Sequence, residues 1–220
     1  MNASAATRRR ATALPAGQRR EVLVEATLPL LLEHGTSVTT RQIAEAAGVA
    51  EGTIFRVFDD KDSLVAAVVD AAFDPTPFER GLAGIDLSLP LRERAEQAVT
   101  LLQERIMSIG RLMIAVGLTR PPGNDPSGRP SSPPTSIDAL AAVLAPDADR
   151  LRRCPHDAAV LLRSFTLAST LKMLNAEPLS AAEVVDVLLC GIGDEAVCSD
   201  RPNRDQPNGE HSRRGESTPC

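Results

Sequence analysis

Thr40, Thr53, Arg56 and Lys61 lie close together in the first third of this chain, and each can donate hydrogen bonds to an anion. Arg56 carries a planar guanidinium that suits a guanine edge or a phosphate. The Thr53 hydroxyl can donate to a phosphate. Lys61 opens a helical pattern, where an ammonium and a helix N-terminus both attract phosphate, and Thr40 opens an earlier one. Ala50 and Gly52 are small enough to let a helix come close to another surface, and Phe55 suits a thymine methyl or a sugar. Glu51 is adverse beside phosphate unless it accepts from a cytosine amino group. These are the groups that would read the edges and backbone of a duplex.

The elements that must position them follow from the segment TTRQIAEAAGVAEGTIFRVF, between about Val38 and Phe58. Two short helices packed at a steep angle need a very small residue at their closest approach, which Ala44 supplies. The turn needs a residue tolerant of positive φ, which Gly48 supplies four positions later. Val49 plugs the turn, and Ile54 with Val57 or Phe58 buries the inner face of the second helix. This is helix-turn-helix spacing. Its second helix, about Ala50 to Phe58, would present its N-terminal residues to a major groove. Thr39 and Gln42 form a capping box for the first helix, and Asp59 or Asp60 caps a further one running to about Phe73. A preceding helix carries Leu23, Ala26, Leu30 and Leu31 and ends at Gly35; Pro29 within it predicts a kink or interruption.

The bulk composition agrees with an all-α chain. Of 220 residues, 43% are hydrophobic but only 2% aromatic, with no Trp or Tyr, so Leu, Val, Ile and Ala must build the core. Such a core suits helices better than strands. The net charge of −5 does not exclude a nucleic-acid partner, because phosphate affinity follows local charge. Arg8, Arg9, Arg10, Arg19 and Arg20 precede the first acid, Glu21. Arg8 to Arg10 read as a solvated charge run, with entry into a minor groove as the alternative. The chain shows no secretory signal and no membrane-length apolar run, so a cytoplasmic protein with reduced thiols is expected. Cys154, Cys190, Cys198 and Cys220 include no C-x-x-C pair, and His156 near Cys154 reads as a surface histidine. No catalytic set, metal site or cofactor motif is expected.

Residues 1–17 read as a flexible basic arm, 18–73 as the helix-turn-helix domain, 74–198 as a second helical domain and 199–220 as a disordered tail. Pro75 and Pro77 mark a break. Pro90 starts a long helix whose stripe, Ala95 through Met113, reaches about Leu118. Residues 120–135, rich in Pro, Gly and Ser, form a loop. A short helix from Ser136 to Ala145 follows. Pro155 opens a longer helix to about Leu174, and Ser180 with Glu183 caps the last one. Met107, Met113 and Met173 read as core, and Phe165 with its neighbours as a core or dimer face.

Between Leu23 and Leu64 the sequence resembles the N-terminal domain of TetR-family regulators. The matching features are T-x-x-x-I-A-x-x-A-G-V from Thr39 to Val49, G-T-I-F-x-x-F from Gly52 to Phe58, then Lys61 and Leu64. The resemblance implies a homodimer with three or four N-terminal helices on a double-stranded DNA operator. The remaining helices would form a pocket for a small apolar or amphipathic ligand, its lining residues unassigned, and a dimer interface. Carried over residue by residue, it makes Thr40, Thr53, Phe55, Arg56 and Lys61 DNA contacts. Three positions depart from the family: Phe55 stands where Tyr is common, Leu31 where Phe is usual, and Pro29 is unexpected. The function implied is a repressor released by a ligand. The alternatives are a constitutive dimeric DNA-binding protein without ligand, or an enzyme with an incidental helix-turn-helix.

Overall fold

The computed structural model describes residues 15–119, 135–171 and 177–192. Among them the chain is all-α, with no strand. The α-helices are α1 (Ala16–His34), α2 (Thr40–Ala47), α3 (Lys61–Phe73), α4 (Thr76–Ala83), α5 (Leu91–Val116), α6 (Thr135–Leu144), α7 (Pro155–Thr170) and α8 (Ala181–Ile192). Short 3-10 segments cover Gly35–Ser37, Glu51–Arg56 and Ala145–Arg150. The expectations for most of the N-terminal arm, the Pro-rich loop, residues 172–174 and the C-terminal tail fall outside the described residues.

Two apolar cores form. The first joins α1, α2, the Glu51–Arg56 segment and α3 through Leu23, Leu31, Val38, Ile43, Ile54, Phe58, Leu64 and Val68. Leu31 is fully buried here. The second core joins α4 to α8 through residues such as Leu82, Val99, Leu140, Leu162 and Val184. Helix α5 belongs to both: Ala95 to Leu102 pack in the second, while Leu112 packs in the first.

Pro29 does not interrupt α1, which continues to His34. Upstream of Pro29, buried Thr27 turns its hydroxyl back onto the Leu23 carbonyl at 2.6 Å, so its polar group is satisfied within the helix. The helix also starts at Ala16, inside the stretch expected to be a free arm. The break expected at Pro75 and Pro77 lies between α3 and α4, and the two prolines also open α4, a helix the sequence reading did not expect. In the first helical turn the missing N–H costs nothing and the fixed φ is already helical.

Gly35 ends α1 with φ 60° and ψ −148°, a conformation that only glycine adopts readily. A Cβ there would lie 2.8 Å from the Ala115 carbonyl oxygen near the end of α5. Gly35 is therefore required twice, for its backbone angles and for the close approach of α5 to the turn before α2. The second core contains a buried cation, Arg94. It donates to the carbonyls of Val143 (3.1 Å), Leu87 (2.9 Å) and Leu89 (2.7 Å) and pairs with Asp147. No helix among the described residues is long and apolar enough to cross a membrane.

Candidate nucleic-acid interface

The helix-turn-helix is assembled by local chemistry. Thr39 accepts from the Gln42 N–H at 3.3 Å, and the Gln42 side chain accepts from the Thr39 N–H at 2.9 Å, which closes the capping box of α2. Gly48 takes the left-handed conformation at φ 65° and returns its N–H to Ala44 and Glu45. Val49 N–H follows onto the Ala44 carbonyl at 3.0 Å. Ala44 is buried at the crossing. Ile54 and Phe58, rather than Val57, form the buried inner face after the turn, and Val57 is half-buried.

The second element is shorter and tighter than the expected helix from Ala50 to Phe58. It is a 3-10 segment, Glu51–Arg56, with Ala50 as an N-cap that makes no side-chain cap bond. Gly52 and the β-branched Thr53 and Ile54 are poor helix formers, and so short an element gains little from α-helical cooperativity.

Its outer face carries the residues singled out from the sequence. Ala50, Glu51, Gly52, Phe55 and Arg56 are exposed, and Thr53 is half-buried. Phe55 is 52% exposed, too open to be explained as core. A Cβ on Gly52 would meet nothing within 4 Å, so the chain's own packing does not demand glycine there. Among the described residues the Arg56 guanidinium has neither hydrogen bond nor ion pair.

Thr40 and Lys61 are already engaged. The Thr40 hydroxyl donates to the Glu51 carboxylate, tying the first turn of α2 to the first residue of the 3-10 segment. Lys61 Nζ donates to the carbonyls of Thr36 (2.8 Å) and Val38 (3.3 Å). One ammonium N–H remains free for an outside acceptor. Lys61 thus braces the turn between α1 and α2 from the start of α3. Asp60 caps α3, with Ser63 completing the box at 2.7 Å and 3.3 Å.

Two neighbours escaped the sequence reading. Arg41 pairs with Glu45 at 3.1 Å on the exposed side of α2. Arg20 lies with its guanidinium 4.6 Å from the centroid of the Phe58 ring, a cation–π contact. The signal for Arg20 was its i, i+3 relation to Leu23, which puts the two on one side of α1.

A polar joint ties the domain carrying these residues to α5. Arg105 of α5 donates to the carbonyls of Phe73 and Asp74, both at 2.9 Å, and lies 5.7 Å from the Phe78 ring centroid. It caps the C-terminus of α3 and holds the α3–α4 turn. Asp74 turns onto Thr76, whose backbone and hydroxyl hydrogen bonds keep the Asp74 carboxyl below the usual carboxylate range. Beside this joint a cleft of about 600 Å³ opens between α4 and α5, lined by Arg80, Gly81, Glu93, Glu96, Thr100 and Glu104 among others.

Residues 23–68 match the family model for bacterial regulatory proteins of the tetR family. The fold is similar to that of a Mesorhizobium loti protein assigned to the TetR family of transcriptional regulators, at 17% identity and TM-score 0.60, covering 83% of this chain and 100% of that one. A tetR-family transcriptional regulator from Streptomyces coelicolor is similar at 17% identity and TM-score 0.56, covering 87% and 93%. A Rhodococcus sp. RHA1 protein assigned as a transcriptional regulator is similar at 22% identity and TM-score 0.55, covering 82% and 98%. At these identities the structural likeness is one of fold.

Proposed function

We propose that this chain, a member of the TetR family of DNA-binding transcriptional regulators, is a cytoplasmic homodimeric repressor that a small molecule releases from its operator. The observation that carries the DNA-binding face is the division of the segment after Gly48. Ile54 and Phe58 are buried, while Glu51, Gly52, Phe55 and an unpaired Arg56 face outward. Ala50 and Gly52 permit close approach, Phe55 meets a thymine methyl or a sugar, and Arg56 reads a guanine or grips a phosphate. Thr40, Thr53 and the third N–H of Lys61 contact phosphates. Phe55 contributes apolar contact only, since it lacks a hydroxyl.

Dimerisation is supported by apolar side chains that α7 and α8 leave exposed. Leu161 is 42%, Leu167 45% and Val187 54% exposed. A second copy on this face would bring two recognition segments to successive major grooves of an inverted repeat. The cleft between α4 and α5 supports a ligand site of ordinary size, its lining mixing Ile85 and Leu101 with Arg80, Glu93, Glu96 and Glu104. It adjoins the Arg105 joint, so an occupant that favours one α4–α5 spacing would bias the position of α3 and the motif.

The test is binding of the full chain to the DNA flanking its own coding sequence, followed by fluorescence anisotropy. Arg56→Ala weakens specific binding by about 1–3 kcal/mol if it reads a base. If Arg56→Ala and Lys61→Ala both bind like the parent, the assignment of the face is wrong. A metabolite that raises the melting temperature but leaves operator affinity unchanged rejects ligand release and favours a constitutive DNA-binding dimer.

A further inference from the structure

The proposed DNA face is acidic at close range. From Val38 to Leu64, Arg41, Arg56 and Lys61 face five carboxylates: Glu45, Glu51, Asp59, Asp60 and Asp62. Two of these acids have a local task. Glu45 is paired with Arg41, and Asp60 caps α3. Glu51 differs. It is exposed at the first position of the segment that would enter the groove, and the hydrogen bond it receives comes from Thr40, itself a candidate phosphate contact.

The bond creates a conflict that a base-edge amino group can remove, cytosine best, because adenine sets its N7 acceptor beside its amino group against a carboxylate. While Thr40 donates to Glu51, its hydroxyl proton is not available to a phosphate. If Thr40 turns to a phosphate, Glu51 is left as a bare carboxylate beside the backbone, which repels it. A cytosine in the major groove offers an N4 amino group, the base-edge donor suited to a carboxylate. With cytosine present, the N4 amino group replaces Thr40 as donor to Glu51, and the phosphate replaces Glu51 as acceptor from Thr40. One internal hydrogen bond is exchanged for two intermolecular ones, and no group is left without a partner.

We infer that the Thr40–Glu51 pair is a sequence gate: Glu51 reads a cytosine in each half-site, and only then is the Thr40 hydroxyl released to the phosphate backbone. This rests on the DNA-binding reading above and adds to it a base identity and a coupling between a base contact and a backbone contact. Such a gate holds non-specific affinity low, because on any other base the internal bond persists and Glu51 remains repulsive.

The experiment is selection from a random-sequence duplex library with the full-length protein, followed by affinity measurements on the selected site and on single-base variants. The parent enriches a C·G pair at one position of each half-site. Replacing that pair costs roughly five- to 150-fold in affinity, the range for one well-made base contact. Glu51→Gln moves the preference at that position to adenine, which a carboxamide reads in place of cytosine. Glu51→Ala flattens the position and tightens binding to unrelated DNA. Thr40→Val lowers the penalty for losing the cytosine, because the phosphate contact no longer depends on it. Both side chains lie at the surface of the fold, so circular dichroism and melting of the variants match the parent.

An unchanged motif for Glu51→Gln and Glu51→Ala overturns the gate. So does tighter binding of both to all DNA with no positional change, which makes Glu51 a repulsive charge only. Additive effects of Thr40→Val and Glu51→Ala on discrimination overturn the exchange. Failure of the parent to enrich any sequence rejects instead the DNA-binding reading on which the gate rests.

Discussion

The polar groups of the motif and those at the start of α5 are handled in opposite ways. Around the motif, Thr40–Glu51, Arg41–Glu45 and the Lys61 ammonium form bonds at or near the surface, each able to change partner. At the start of α5, Arg94 is buried and holds three carbonyls and Asp147 at once, joining the Leu87–Leu89 turn to the end of α6 and the 3-10 segment after it. Water competes for the first set and is excluded from the second. The first set can therefore be spent on a partner molecule, while the second is committed to the fold.

The sharpest way to break this contrast is to remove one arginine from each region. Arg94→Met leaves Asp147 short of its main partner and removes a donor from each of three carbonyls. It should cost about 3–5 kcal/mol of unfolding free energy, the range for breaking a buried ion pair. Arg56→Ala should leave unfolding within about 0.5 kcal/mol of the parent while weakening DNA binding as set out above. Urea denaturation of both variants checks the pair. Equal losses of stability would mean that Arg56 has a structural role and the contrast is false.

Two glycines sharpen the comparison at lower cost. Gly48 and Gly35 both have positive φ, but a Cβ on Gly48 meets open space, whereas one on Gly35 meets the Ala115 carbonyl at 2.8 Å. Gly48→Ala should cost about 1–2 kcal/mol from left-handed strain alone. Gly35→Ala should add about 1–3 kcal/mol of overpacking, because the end of α5 must move away from the turn. It should also alter DNA affinity, since that turn carries the carbonyls that Lys61 braces. Thermal melts and anisotropy titrations separate the two glycines. Equal penalties would show that α5 does not bear on the motif.

What was legible in the sequence was whatever is settled within four residues. The Thr39–Gln42 and Ser180–Glu183 boxes, the turn at Gly48 and the opening of α7 at Pro155 all depend on near neighbours. Helix α4 was missed because Pro reads as a breaker unless it is known to sit in a first turn. The recognition segment was read as an α-helix because Ile54 and Phe58 have the i, i+4 spacing of an α-helical face, whereas Phe58 lies beyond the 3-10 segment and meets Ile54 through its own N–H on the Ile54 carbonyl. Contacts between distant residues left no mark in the pattern. Thr40 and Glu51 are 11 residues apart, Lys61 reaches back 25 to Thr36, and Arg94 reaches forward 53 to Asp147. The first two govern how the site is held and how it can open, and the third holds the second core, so the site's residues were readable but its wiring was not.

The smallest expected effect concerns pH. Burial opposes ionisation of Asp147, but hydrogen bonds from Arg94 and Arg150, together with their charges, outweigh it and hold the carboxyl below the usual range. A carboxyl depressed in the folded state contributes stability that is fully present above its unfolded value, near 3.9. That contribution is lost as pH falls through the lower folded value. The melting temperature should therefore drop on acidification from about pH 4 downward. Asp147→Asn should lie below the parent at pH 7 and converge on it in acid, because the group that would be protonated is already neutral. Arg94→Met should reduce the same acid dependence, since it removes the main force holding Asp147 ionised, whereas Arg56→Ala in the motif should leave it intact. Melts of the four proteins across that range decide the matter. If Asp147→Asn parallels the parent at every pH, the Arg94–Asp147 pair does not set the acid stability of the fold, and the committed character assigned to that region rests on the carbonyl bonds of Arg94 alone.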